Sequence, residues 1–186
     1  MHPHRQPVRR GGTGTDARRT ALGATRLRFS AFFVKARLVR LAGSGLGLGY
    51  LPVAPGTWGS AGGLLVWWLT LPMGRGLQAL LLILAAVPAA LACGACARES
   101  GRKDPSFVVL DEVLGMYLAL LFLSPSLAWV ATAFVLFRLL DILKPWPVSL
   151  MEKRFAGGAA ILLDDLLAGA ITGLIMIIIQ ILITVI

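Results

Sequence analysis

Residues 77–97 read LQALLLILAAVPAALACGACA and contain no charged side chain. An α-helix of this length extends about 32 Å, which is enough to cross the roughly 30 Å hydrocarbon core of a bilayer. The whole chain of 186 residues is 57% hydrophobic and 15% charged. A soluble domain has about 25% charged residues, so this composition predicts a protein whose surface faces lipid.

Further apolar segments flank this stretch, at residues 60–71, 107–123, 127–143 and 160–186. The first is short and spans about 18 Å, which predicts a re-entrant or partial membrane segment. Residues 41–59 are rich in Gly and Pro and predict an irregular loop before it. We therefore predict an all-α, polytopic helical membrane protein with about four to five apolar segments in one bundle.

The net positive charge of the chain comes from its first 40 residues. Residues 1–40 contain ten Lys/Arg and one acid, Asp16, whereas the eight basic and eight acidic residues of 41–186 balance. We predict a basic, disordered extension over 1–40 and a membrane-embedded domain over 41–186. A cytoplasmic tail near anionic lipid is the favoured interpretation, with nucleic-acid binding and a transit peptide as the alternatives.

The charged loops predict the orientation in the membrane. Loops 98–106 and 144–158 are basic, whereas the turn at 124–126 carries no charge. Basic loops lie in the cytoplasm, so the acidic ends of three helices should converge just inside the cytoplasmic interface.

Five acids lie at these helix ends: Asp111, Glu112, Asp141, Asp164 and Asp165. Only Arg138 and Lys144 lie close enough in the predicted arrangement to balance them, and ionisable residues inside a membrane usually face a partner or a functional site. A divalent cation would relieve their repulsion, and Mg²⁺ suits carboxylates that also meet a phosphate. A structural ion-pair cluster and a proton or ion pathway are the alternatives.

Basic and hydroxyl side chains nearby predict phosphate binding. Arg138, Asp141 and Lys144 follow one another at a spacing of three and so share one side of a helix. We expect Arg138 and Lys144 to hold phosphate oxygens. The segment 55–60 precedes an apolar helix, and its Gly56, Thr57 and Ser60 could bind phosphate at the helix start, although simple helix capping fits equally well.

The sequence lacks the residues that several other kinds of catalytic site require. Cys93 and Cys96 form a CxxC pair inside an apolar run without a second pair, so buried packing is favoured over a redox or zinc site. The only histidines, His2 and His4, lie in the tail, which argues against a phosphohistidine mechanism. No P-loop, GxSxG or dinucleotide-binding motif occurs. Metal-assisted phosphate chemistry on a lipid headgroup remains.

Four motifs resemble the phosphatidylglycerophosphatase A family in order and spacing, over roughly residues 43–175. They are PGTWGS at 55–60, LDEVLG at 110–115, FRLLDILKPWP at 137–147, and LDDLLAG at 163–169 after the glycines at 157–158. The resemblance does not extend to the tail. The family often has an aromatic residue where this chain has Leu110, but the adjacent Asp-Glu pair is present.

The resemblance implies a Mg²⁺-dependent phosphatase in a bacterial inner membrane, with its active site facing the cytoplasm. Its reaction takes phosphatidylglycerophosphate to phosphatidylglycerol and phosphate. The five acids would hold metal or activate water, the substrate would be a membrane phospholipid rather than nucleic acid, and a homo-oligomer is compatible with the sequence. The rival hypotheses are a non-enzymatic cation carrier that uses the same acids and a structural subunit whose charges pair helices.

Overall fold

A computed structural model describes residues 36–185 of the chain. The chain divides into two units, Met1–Leu38 and Val39–Ile186. Most of the predicted disordered extension therefore lies outside the described residues, and its boundary at residue 40 stays a prediction. Residues 36–43 are helical and form α1.

The described part of the chain consists of helices joined by loops and contains no strand, which confirms the all-α prediction. After α1 come α2 (Pro55–Thr70), α3 (Arg75–Ser100), α4 (Leu110–Leu120), α5 (Leu127–Leu143), α6 (Val148–Arg154) and α7 (Gly158–Val185). Two short 3-10 helices lie at Leu48–Tyr50 and Leu71–Met73.

Two local predictions were wrong. The predicted irregular loop over 41–59 ends early, because α2 begins at Pro55, and the PGTWGS motif forms its first six residues. Proline suits this position since its fixed φ matches a helix and its missing N–H would have no helical partner there. The polar segment 144–158, which was predicted to be a loop, also contains a short helix, α6.

The helices α4 and α7 form the centre of the second unit. α4 packs most extensively against α7 and α2, and α7 also contacts α3, α5 and α6. Glycines allow this approach: a Cβ on Gly169 would overlap the backbone of Gly115, and a Cβ on Gly115 would lie 2.7 Å from the carbonyl oxygen of Asp165. The crossing therefore brings the start of α7 against the start of α4.

Two described helices are long and apolar enough to cross a membrane, Arg75–Ser100 and Gly158–Thr184. The helices α2, α4 and α5 have 16, 11 and 17 residues and are shorter than a full span. The number of segments that enter a bilayer stays a prediction.

The helices alternate in direction, which gives the second unit two ends. At one end α2, α4 and α7 begin and α5 finishes; we call it the site end, because the acids described below lie there. At the other end, called the far end, α2 and α4 finish and α3 begins. At the far end Arg75 donates to the carbonyl oxygens of Leu121 and Leu123, at 2.7 and 3.1 Å. These carbonyls lie just after the end of α4, so Arg75 provides hydrogen-bond partners for the backbone of the turn that follows the helix.

Three polar side chains also join the helices at the far end. The hydroxyl oxygens of Thr70 and Tyr117 lie 3.1 Å apart, and Gln78 donates to the Thr70 hydroxyl at 3.3 Å. Gln78 is buried at 2% exposure, so these bonds give its amide a partner inside the apolar body.

Candidate active site

Three of the predicted acids, here called the acid trio, meet where α4 begins. Asp111 and Glu112 lie in the first turn of α4, where free backbone N–H groups and the helix dipole favour negative charge. Asp165 reaches them from α7, and one carboxylate oxygen of each residue lies within 4.8 Å of the other two. The trio therefore offers three converging oxygen ligands.

The trio contains buried oxygens without partners. Asp111 Oδ1, Glu112 Oε2 and Asp165 Oδ2 are all buried, and no residue in the described range 36–185 donates a hydrogen bond to them. Buried carboxylates without a counter-charge are costly, by several kcal/mol each. Hard divalent cations prefer oxygen ligands of this type. The donor set thus fits a divalent metal ion.

Arg138 lies beside the trio and is held at one nitrogen. Its Nη1 donates to Asp141 Oδ2 at 2.5 Å and to Ser60 Oγ at 3.4 Å. Asp141 lies one turn further along α5, and its charge acts on both Glu112 and Asp165. The Arg138 Nε is buried and has no hydrogen-bond partner in the described part of the chain. An unused donor therefore lies next to unused acceptors.

The first turn of α2 closes one side of this cluster. A Cβ on Gly56 would overlap Glu112 Oε1 and lie 3.0 Å from both terminal nitrogens of Arg138. Ser60 is fully buried, and its hydroxyl donates to the Gly56 carbonyl oxygen at 2.9 Å. The glycine is thus required for close approach, and the serine is a buried link between α2 and Arg138.

The predicted phosphate-binding turn at the start of α2 has fewer free backbone N–H groups than an ordinary helix N-terminus. The backbone N–H groups of Thr57 and Trp58 already donate to the Ala54 carbonyl, at 2.9 and 3.4 Å. Pro55 has no N–H, so Gly56 carries the N–H that remains in this turn. Thr57 is half-buried one position beyond Gly56.

Lys144 ends α5 in a conformation that favours glycine. It is the C-cap residue with φ 42° and ψ 53°, and its N–H donates to the Leu140 carbonyl. Its Nζ donates to Asp164 Oδ2 at 2.5 Å, while Asp164 Oδ1 accepts from the N–H of Asp165 at 3.1 Å. Burial alone lowers the pKa of Lys144, but the hydrogen bond and charge of Asp164 outweigh it and raise that pKa.

A second pair of charged residues at this position was not predicted from the sequence. Lys103 and Asp104 line a small cavity together with Lys144 and Asp164, and the charge of Asp104 acts on both of these residues. The charged loop 98–106 was visible in the sequence. Its contact with the end of α5 was not, because that contact depends on how α7 packs.

The structure divides the five predicted acids into two groups. The unpaired group is the acid trio: Asp111, Glu112 and Asp165. The paired group consists of Asp141, bound to Arg138, and Asp164, bound to Lys144. Gly56 and Ser60 lie at the Arg138 side of the cluster.

A protein-family comparison covers most of the chain. The sequence model of phosphatidylglycerophosphatase A matches residues 41–180. The chain belongs to the phosphatidylglycerophosphatase A family. The matched range contains every predicted site residue and leaves the basic extension outside it. Family membership confirms the resemblance found in the four motifs and makes the chain a phosphatase of phospholipid metabolism.

Individual relatives agree with this family. Phosphatidylglycerophosphatase A of Escherichia coli (strain K12) is 36% identical over 129 residues, which cover 69% of this chain and 75% of the relative. That of Haemophilus influenzae is 36% identical over 135 residues, covering 70% and 81%. A putative phosphatidylinositol-3-phosphatase of Bacteroides thetaiotaomicron is 39% identical over 140 residues, covering 69% and 85%. No solved structure matches the chain.

Proposed function

We propose that this chain is a Mg²⁺-dependent membrane phosphatase that hydrolyses phosphatidylglycerophosphate. Water attacks the terminal phosphate monoester, the bond from phosphorus to the glycerol oxygen breaks, and phosphatidylglycerol and inorganic phosphate leave. The relatives in Escherichia coli and Haemophilus influenzae carry the name of this activity. Their similarity to this chain supports the same substrate.

The proposal rests on one observation: the cluster contains both acceptor oxygens and a donor nitrogen that are buried and have no partner among the described residues. Within residues 36–185, the acid trio has three acceptor oxygens without a donor, and Arg138 has a donor nitrogen without an acceptor. Buried polar atoms without partners are rare in proteins, and where they occur they call for an explanation. A cation bound to the trio and a phosphate bound to Arg138 would satisfy both kinds at once.

The residues of the chain divide the work of the reaction. Asp111, Glu112 and Asp165 would hold Mg²⁺, and Arg138 and Lys144 would bind phosphate oxygens, as a fork and a point charge respectively. When bound, Mg²⁺ would neutralise charge that develops on the phosphate and lower the pKa of a coordinated water.

The small residues of α2 would complete the substrate site. Gly56 lets the first turn of α2 approach Glu112 and Arg138 closely, because any side chain at this position would overlap Glu112. Its remaining backbone N–H could donate to a phosphate oxygen bound by Arg138. We also expect Thr57, in the same helical turn, to contact the headgroup.

Several features support a membrane location with the site at the cytoplasmic interface. The two candidate spans are Arg75–Ser100 and Gly158–Thr184. Large apolar side chains of these helices, such as Leu84 and Leu182, are more than half exposed in the chain alone. Lys103 and Lys144, from the two basic loops, line one cavity, so both loops lie at the site end. By the positive-inside rule, we expect that end to face the cytoplasm.

The direct test is phosphate release from phosphatidylglycerophosphate by the purified full chain in mixed micelles. We expect activity with Mg²⁺, complete loss in chelator, and recovery when Mg²⁺ is added back. Asp111→Asn serves as the inactive control. Full activity in chelator would contradict the metal proposal.

Two rival functions give different results in the same preparation. A cation carrier would move Mg²⁺ into liposomes and release no phosphate. A phosphatase like the Bacteroides relative would prefer phosphatidylinositol 3-phosphate, so this lipid is assayed beside phosphatidylglycerophosphate. The ratio of kcat/KM for the two lipids identifies the preferred headgroup.

A further inference from the structure

Arg138 is fixed at one side of its guanidinium group and unoccupied at another. Its Nη1 is the nitrogen that contacts both Asp141 and Ser60, from two different helices. The Nε has no partner in the described range, although it is buried. A guanidinium offers Nε–H and the neighbouring Nη2–H as a second fork, which matches two oxygens of a phosphate.

We propose that Asp141 and Ser60 are positioning residues, which hold Arg138 so that its Nε edge meets the phosphate monoester. This inference rests on the proposed function and narrows it, because it removes Asp141 from the metal ligands and Ser60 from the substrate contacts. The five acids then have separate tasks: the trio binds the cation, Asp141 orients the arginine, and Asp164 pairs with Lys144.

The partners of Asp141 distinguish it from the trio. Its Oδ2 is already bound to a cation, the Arg138 guanidinium, whereas each member of the trio has a buried oxygen without any partner in residues 36–185. The group whose oxygens lie within 4.8 Å of one another also consists of the trio alone among the described acids. A metal ion needs the oxygens that the protein leaves unpaired.

The burial of Ser60 explains why it serves Arg138 rather than the substrate. Its side chain has no exposed surface, and its hydroxyl donates to Gly56 and accepts from Arg138. This chain of bonds ties the guanidinium to the first turn of α2. The orientation of Arg138 is therefore set from α2 and from α5 together.

Metal binding separates the two roles that Asp141 could have. Mn²⁺ binding to the full-length protein is followed by electron paramagnetic resonance, without substrate, in wild type, Asp111→Asn and Asp141→Asn. We expect Asp111→Asn to weaken Mn²⁺ binding by about tenfold or more and Asp141→Asn to change it by less than about twofold. Equal weakening in both variants would make Asp141 a ligand and overturn the proposal.

A double-mutant cycle shows whether Asp141 acts through Arg138. In the wild-type background Asp141→Asn should raise KM for phosphatidylglycerophosphate by about tenfold, the usual loss of a hydrogen bond to a charged group. In an Arg138→Ala background the same substitution should add less than about twofold, because the arginine it positions is gone. If the two losses multiply, Asp141 acts independently of Arg138 and the proposal is wrong.

Ser60 gives a second test that does not disturb a charge. Ser60→Ala should raise KM by about fivefold with little change in kcat, since it loosens the arginine without removing it. The matched control is Thr172→Val, which removes another fully buried hydroxyl that bonds to a carbonyl four residues earlier, in α7. The control should leave KM unchanged. An equal rise in both variants would indicate general loosening of the helices and contradict positioning.

The result also separates this inference from the proposed function. If the wild-type chain released no phosphate from the lipid, the proposed function would fail. The Mn²⁺ titration would still decide whether Asp141 binds metal. If the wild type is active but Asp141→Asn loses Mn²⁺ like Asp111→Asn, the proposed function stands and the positioning role fails.

Discussion

The two ends of the second unit both bury polar side chains, but they differ in which of these side chains lack a hydrogen-bond partner. At the far end Arg75 is bonded to two carbonyl oxygens, and Thr70 links Tyr117 to Gln78. At the site end each member of the acid trio keeps a buried oxygen without a partner within residues 36–185. Two buried N–H donors at the far end, Trp67 Nε1 and Gln180 Nε2, also lack a partner among the described residues, but these groups are neutral. The carboxylate oxygens without a partner in residues 36–185 all lie at the site end, and they call for a cation.

This difference distinguishes buried polar groups that stabilise the fold from buried polar groups that bind a ligand. A buried hydrogen bond adds roughly 1 kcal/mol to stability, whereas a buried group without a partner costs about 1–3 kcal/mol. A sequence that can satisfy Gln78 at 2% exposure could also satisfy its acids. Unpaired carboxylate oxygens that converge at one end are instead typical of a binding or catalytic site. Substitutions at the two ends should accordingly change different measured quantities.

The largest effect is expected for Asp111→Asn. The amide removes one charge from the trio and should lower kcat by about a thousandfold, comparable to the loss of a preorganised electrostatic contact. The same substitution should leave stability unchanged or raise it in chelator, because it relieves repulsion between carboxylates. Phosphate release and thermal unfolding of one preparation measure both quantities.

The opposite pattern would break the comparison between the ends. If Asp111→Asn unfolds at a markedly lower temperature in chelator while the folded fraction keeps its kcat, Asp111 has a structural role. Asp165→Asn, on the other side of the helix crossing, should behave like Asp111→Asn because both belong to the trio.

A smaller but specific effect is expected for Arg138→Lys. Lysine keeps the charge but loses the fork, so kcat/KM should fall by about 10- to 100-fold. The measurement is steady-state kinetics on phosphatidylglycerophosphate with Mg²⁺ in excess. Unchanged kcat and KM would mean that Arg138 only pairs with Asp141.

Much of the fold could be predicted because the apolar segments are long. The predicted segment 127–143 coincides with α5, and 77–97 lies inside α3. The start of α2 was missed because the Gly and Pro content of 41–59 suggested a loop, although Pro55 and Gly56 belong to the first helical turn. A proline at a helix start and a proline in a turn look alike in sequence.

The members of the candidate site could be predicted from the sequence, but not which of its acids are paired. Ionisable residues in apolar segments identified Asp111 and Asp164 without reference to a fold. Which acid is paired depends on side-chain direction across the crossing of α4 and α7. Asp164 and Asp165 are neighbours, yet one binds Lys144 and the other joins the trio. Neighbouring residues on a helix point about 100° apart, so only the packing decides which faces the metal site.

The third prediction compares Lys144→Gly with Lys144→Ala. Both remove the ammonium group that we propose binds a phosphate oxygen, so both should lower kcat/KM by about tenfold, the usual loss of a charged hydrogen bond. Both also remove the ion pair with Asp164. Glycine tolerates the left-handed backbone at this C-cap, so Lys144→Gly should be more stable than Lys144→Ala by about 1 kcal/mol. Kinetics and denaturant unfolding of the two variants provide the comparison.

The difference between these variants is informative because the lost ion pair cancels. Equal stability would mean that the backbone at this position is not strained in the folded protein. Wild-type kcat/KM in the glycine variant would remove Lys144 from the substrate site. The wild-type pair should persist over the usual assay range, because the raised pKa of Lys144 means its contribution is fully present below the ordinary lysine pKa and is lost only as pH rises through the raised value.

The smallest effect on activity is expected at the far end, from Tyr117→Phe. The change removes a hydroxyl that bonds to Thr70 and leaves the ring in the core, so stability should fall by about 1 kcal/mol. The value of kcat/KM should stay within about twofold of wild type, because no atom of this network lies at the acid trio. Unfolding and kinetics are measured as for Asp111→Asn, which serves as the reciprocal control. A loss of kcat without a loss of stability would show that α4 couples its two ends, and the site would then extend along the helix beyond its first turn.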